Sequence, residues 1–226
     1  MQAAALLHLL QLSSPSLPIG AYSYSQGLEA AIENGRVHNE TSARAWIAHA
    51  LHEVVARFEA PIFARLVDAF AARDAAAVAL WTERFVAARD TSEFRAETIQ
   101  MGYSLGKLGA DLKLGDPELL AILQVQAEVP LPTALAFATV ALQVPREAAV
   151  LGMLFAWAEN QVLACVKTVP LGQVAGQRML LSLQPELERA AAAAQTLEDD
   201  ELSNWSPGLS LLSMQHEVQY SRIYRS

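Results

Sequence analysis

Apolar side chains return at helical spacing along nearly the whole chain, and this limits the fold more than any other feature. Ile47, Leu51, Val54 and Phe58 follow one another at intervals of four, three and four. Phe94, Thr98, Met101, Leu105 and Leu108 repeat at four, three, four and three. Each set falls on one face of a helix. Alternating β-branched runs are scarce, so strands are not expected. Helix starts are marked where a capping side chain or an N1 proline can meet free backbone amides. The candidates are Thr41 or Ser42, Asp74, Thr91 or Ser92, and Asp116 with Pro117. Pro61, Pro132, Pro145, Pro170 and Pro185 fall between periodic runs and are expected to separate them. These signals predict an all-α, single-domain bundle over residues 1–226 with roughly nine or ten helices.

Composition narrows the function. Hydrophobic residues make up 53% of the chain and charged residues only 18%, an excess that implies an apolar surface for a partner to cover. The net charge is −8 and no Lys/Arg cluster occurs, so there is no electrostatic footprint for nucleic acid or an anionic membrane. Cys165 is the only cysteine, which rules out an intrachain disulfide and fits a reducing compartment. Residues 3–12 are apolar but lack a preceding basic residue, unlike a secretory signal. The apolar stretch from Ala148 to Ala158 is interrupted at Glu159, Asn160 and Gln161, which argues against a membrane span. These features together predict a cytoplasmic chain. Gly102, Gly106 and Gly109 line one side of the 93–110 helix and imply close approach of another backbone, either within the chain or from a partner. The acidic run 197–205 reads as a solvated connection.

No complete catalytic or nucleotide site emerges. Gly106-Lys107 lacks the remaining P-loop residues and lies in a helical run. Ser23-Tyr24-Ser25-Gln26-Gly27 misses the first glycine of a nucleophile elbow and has no strand before it. His49, His52 and Glu53 are in the wrong order for a zinc protease. Cys165 reads as an inert buried thiol. Glu29 and Glu33 could pair as carboxylates at i, i+4, the one opening for an enzymatic reading. Arg95 with a carboxylate would form a buried ion pair.

Residues 13–29 interrupt the helical pattern with Ser13-Ser14-Pro15, Pro18-Ile19-Gly20-Ala21-Tyr22 and Ser25-Gln26-Gly27-Leu28-Glu29. A loop this rich in hydroxyls and unpaired amides needs partners for them. At the other end, His216-Glu217 precedes Tyr220, Arg222, Ile223, Tyr224, Arg225 and Ser226. Tyr and Arg are prominent in binding hot spots, so the tail reads either as a docking element or as packing on its own domain. His216 beside Glu217 is a weak candidate for a transient nickel ligand.

The 13–29 segment resembles the N-terminal signature of the UreF family of urease accessory proteins. Arg95-Ala96-Glu97-Thr98 with Met101-Gly102, Val169-Pro170-Leu171-Gly172-Gln173 with Gly176-Gln177, and the tail resemble the same family, in the same order. Tyr22, Tyr24 and Tyr224 depart from it: Phe or His is common at the first two positions and Phe at the third. The resemblance implies an all-helical accessory chaperone, not an enzyme, that assembles with UreD (UreH) and the GTPase UreG for nickel insertion into apo-urease. It implies a homodimer at the centre of that complex. Nickel passes in transit and GTP is held by the partner; no cofactor is bound firmly by this chain. The N-terminal loop 13–27 and the tail 213–226 would lie at partner interfaces through Ser14, Pro18, Gly20, Tyr22, Ser25, Gly27, Glu29, His216, Glu217, Tyr220, Arg222, Tyr224, Arg225 and Ser226. Lys167, Pro170, Gly172 and Gln173 would face the GTPase.

Overall fold

Capping side chains set most helix starts. In the computed structural model, which describes residues 1–226, Asp74 accepts from the Ala77 amide, Thr91 from Phe94 and Asp116 from Leu119. The start near residue 41 is shifted back to Asn39. Its side chain accepts from the Ser42 amide while the Ser42 hydroxyl accepts from the Asn39 amide, a reciprocal capping box.

Pro61 and Pro185 do not separate helices. Pro61 sits in one rod that is α-helical over Glu40–Ala50, π-helical over Leu51–Glu59 and α-helical again over Ala60–Ala71. Proline brings no N–H to the carbonyl four residues earlier. That carbonyl, on Arg57, instead accepts from the Ser203 amide at 3.2 Å. Pro185 lies inside Gln173–Ala194.

With that rod counted once, the chain forms ten helices and no strand. They are α1 Ala3–Leu12, α2 Leu28–Glu33, α3 (the rod Glu40–Ala71), α4 Ala75–Ala87, α5 Ser92–Asp111, α6 Pro117–Gln124, α7 Leu131–Ala141, α8 Arg146–Thr168, α9 Gln173–Ala194 and α10 Pro207–Glu217. A single 3₁₀ turn, Ala21–Ser23, breaks the N-terminal loop.

The periodic stripes point inward as expected. Ile47, Leu51, Val54 and Phe58 are buried, and so are Thr98, Met101 and Leu105. Phe58 stacks on Phe85, and Phe70 meets Phe137 edge-on, within one connected core of 45 buried residues. Gly102 explains the glycine side of α5. A Cβ there would come within 2.0 Å of the Val129 carbonyl oxygen, so α5 lies directly against the backbone entering α7. The close approach is within the chain.

The central helix α8 packs on α9, α3, α2 and α1. Its 23 residues are long and apolar enough to cross a membrane by length and composition, which the shorter stretch read from sequence did not anticipate. Half of that apolar window is buried inside the bundle, and Gln161 is among its buried residues. The acidic run 197–205 is tied down rather than freely solvated. Arg65 binds Asp199 Oδ1 at 2.6 Å and the Leu197 carbonyl, Arg84 binds the Asp199 carbonyl, and Asn204 binds the Ala88 carbonyl.

Candidate functional site: the loop and tail junction

The two ends of the sequence meet. After α1 the loop crosses α8, where the Ser13 hydroxyl donates to the Gly152 carbonyl. It then turns through Gly20 and Gly27, both at positive φ, with Gln26 between them in the left-handed region at φ 56°. A side chain on Gly27 would be strained at its φ of 79°, and its Cβ would press to 3.2 Å from Leu209 of α10. This conformation aims the Gln26 side chain inward. Its amide nitrogen donates to Glu97 Oε1 at 2.7 Å, and its amide oxygen accepts from Trp157 Nε1 at 2.7 Å.

The tail lies on this loop. The Ser25 amide and hydroxyl both donate to the main-chain oxygen of Ser226, at 2.6 and 2.7 Å. The Arg225 amide donates to the Ser23 carbonyl at 2.8 Å. Glu29, buried on α2, accepts from the amides of Ile223 at 2.7 Å and Tyr224 at 2.9 Å. His216 is fully buried. Its Nε2 lies 3.0 Å from Glu29 and its Nδ1 3.0 Å from Glu93, whose carboxylate also accepts from Arg222. One step along α5, Glu97 receives the Ser226 hydroxyl. Burial raises the Glu97 carboxyl to about 7, against the lowering effect of its bonds from Ser226 and Gln26.

The GTPase-facing candidates lie beside the same junction. The Lys167 ammonium sits 5.6 Å from the Tyr224 ring centre and 6.0 Å from that of Tyr22. Pro170, Gly172 and Gln173 are exposed on the turn that follows. Ser14 and Pro18 lie earlier in the loop, away from the tail's hydrogen bonds; the Ser14 hydroxyl pairs locally with Ser16. Glu217 is exposed and receives the Ser92 hydroxyl.

Several chemical readings lose their geometry here. His216 has a carboxylate on each nitrogen, so a metal ion would have to displace one; no three His, Cys, Asp or Glu side chains form a metal-holding group. Glu29 is buried but Glu33 is exposed, so they do not form an acid–base pair. Arg95 does pair with a carboxylate, Glu128 at 2.6 Å, but both side chains are about two-fifths exposed rather than buried. His52 binds Glu186 at 2.8 Å while His49 faces outward. Cys165 is buried and its thiol is pushed up to about 12 by that burial.

The roles of Glu93, Gln26 and Trp157 escaped sequence reasoning. The only local hint was the i, i+4 spacing of Glu93 and Glu97, which puts both on one face of α5.

The tail has two faces. Tyr224 and Ser226 point in and are buried, while Tyr220 and Ile223 are exposed. Leu211 and Met214 on α10, and Val218 just past its end, continue the exposed side at spacings of three and four, giving an apolar stripe beside the tail.

The UreF family model matches residues 37–184, the helical body between the loop and the tail. A urease accessory protein UreF of Janthinobacterium sp. (strain Marseille) is 79% identical over 226 residues, covering all of both chains. The chain belongs to the UreF family of urease accessory proteins. The UreF of Nitrosospira multiformis is 66% identical and that of Azoarcus sp. (strain BH72) 51% identical, each across 98% of this chain and 98% and 95% of their own. In all three UreF relatives the likeness extends beyond the helical body to the loop and the tail, the two segments that meet at the junction.

Proposed function

We propose that this chain is a cytoplasmic, non-enzymatic chaperone that helps insert nickel into apo-urease. In this reading it bridges UreD (UreH) and the GTPase UreG, and two copies form the centre of the assembly. Nickel is the cargo, and GTP is bound and hydrolysed by UreG under this chain's influence. Family membership supplies the urease role. The observation that carries the scaffold reading is the two-faced tail. Its main chain and inner side chains are held by buried carboxylates, which fixes Tyr220, Ile223, Val218, Met214 and Leu211 outward as an apolar surface. Exposed aromatic and aliphatic side chains on a fixed backbone bind with little ordering cost. In this proposal UreD takes that stripe, and the corner of Lys167, Tyr22, Pro170, Gly172 and Gln173 takes UreG.

The test is co-purification of the full chain with UreD and UreG, comparing the wild type with Val218→Asp/Ile223→Asp. Both side chains are exposed, so the double variant keeps its circular dichroism and Tm. UreD capture is expected to fall at least about tenfold, as for loss of a hot spot. Undiminished capture would move the interface elsewhere. Lys167→Ala is expected to weaken UreG capture while leaving UreD bound.

A further inference from the structure

Three carboxylates anchor the tail, and one of them has neither an imidazole nor an arginine bonded to it. Glu93 faces His216 and Arg222, and Glu29 faces His216 and two backbone amides. Glu97 faces only the Gln26 amide and the Ser226 hydroxyl. We propose that a proton on Glu97 locks the end of the tail against the loop, and that losing this proton loosens residues 223–226.

The hydrogen bonding fits the neutral acid. The Gln26 amide nitrogen can only donate, so Glu97 Oε1 must accept. The hydroxyl of Ser226 can either donate or accept, so a protonated Oε2 can donate to it. The neutral carboxyl therefore fills both contacts with no charge buried. The ionised form keeps two acceptors but places a charge where little offsets it.

The charged and polar neighbours on each element bear this out. On α3, Glu59 opposes a second negative charge. Just beyond α4, Arg89 pairs with Glu59 at 2.8 Å through Nη1 and lies 4.4 Å from the Phe85 ring centre; its Nε and Nη2 are buried without partners, and its pull on Glu97 is smaller than the opposing push of Glu59. On the loop lies Tyr24, whose phenol is raised by burial against the pull of Arg225 on the tail. α8 places the neutral side chains of Trp157 and Gln161 on the cavity that Glu97 lines. A cavity of about 40 Å³ is lined by Glu97, Gln26, Glu59, Arg89, Trp157 and Gln161 among others. The raised Glu97 value agrees with this geometry.

The direction follows by linkage. The docked state holds the proton up to about 7, whereas a freed carboxyl loses it near 4.5. Opening of the tail therefore increases as pH rises between those values, approaching tenfold per pH unit for one proton, and levels off above about 7. This is a property of the free chain and does not depend on which partner takes the outer face.

The experiment is amide hydrogen exchange on the full chain from pH 5 to 8, corrected at each pH for the intrinsic rate. The amides of Ile223, Tyr224 and Arg225 are read in the wild type and in Glu97→Gln. A carboxamide donates to Ser226 and accepts from Gln26 as the neutral acid does. The expected result is wild-type protection that falls toward pH 7 and then flattens, with a flat, high profile in the variant. A flat wild-type profile, or the same slope in Glu97→Gln, overturns the lock. The ¹³C shift of the Glu97 carboxyl gives a reading in the wild type alone. Its midpoint must coincide with the point where tail protection levels off; a separation of more than about one pH unit contradicts the proposal.

Discussion

Glu29 and Glu97 do similar work with different means. Both are buried, both hold the tail, and neither touches solvent appreciably. Glu29 accepts from two main-chain amides, which can only donate, and lies 3.0 Å from an imidazole nitrogen. Glu97 accepts from one amide and meets one hydroxyl that can reverse its role. A carboxylate ringed by fixed donors must stay an acceptor, whereas one beside a hydroxyl tolerates a proton. The difference separates a permanent anchor from a conditional one.

The largest expected effect comes from deleting the permanent anchor. Glu29→Ala leaves His216 Nε2 and the amides of Ile223 and Tyr224 without their partner and should cost about 3–5 kcal/mol in all, at about 1–3 kcal/mol for each orphaned buried group. Urea unfolding checks the loss, and exchange at Ile223 and Tyr224 should show the tail free.

Isosteric changes sharpen the contrast. Glu29→Gln turns an NH₂ toward donors and should lower stability by about 1–3 kcal/mol. Glu97→Gln should hold or raise stability at pH 7 and above. Equal losses in the two variants would remove the distinction between the sites.

The pH dependence has a definite sign. The folded-state value of Glu97 is raised, so its contribution is fully present below about 4.5 and is lost as pH rises through about 7. Unfolding measurements should show this slope in the wild type and its absence in Glu97→Gln.

Smaller effects remain. Ser25→Ala loses the hydroxyl bonds to Ser226 and from the Glu29 amide, for about 1 kcal/mol. Tyr224→Phe removes a buried hydroxyl that has no partner and should be neutral or slightly stabilising. Thermal melts resolve both.

The parts of the molecule legible in sequence were those written locally. Asp74, Thr91 and Asp116 cap the helices they precede because a cap contacts an amide three residues on. The core stripes were legible from their spacing. Pro61 misled because its helix continues through a π-helical stretch, and the carbonyl it leaves unpaired is taken by Ser203, some 140 residues away. The family motifs flagged both the loop and the tail. That these two segments hold each other depends on Ser25 reaching Ser226 and Glu29 reaching Tyr224, contacts about 200 residues apart with no local spacing to reveal them. The same distance concealed that His216 is an internal bridge and not a free ligand.

The most direct test of the central claim, a tail folded onto its own loop with one face left outward, is amide exchange in the free full chain near pH 6. The Ile223 and Tyr224 amides, held by Glu29, should exchange at least about tenfold slower than an unstructured chain, and Tyr220 should not be slowed. Exchange of all three at the unstructured rate would contradict the account.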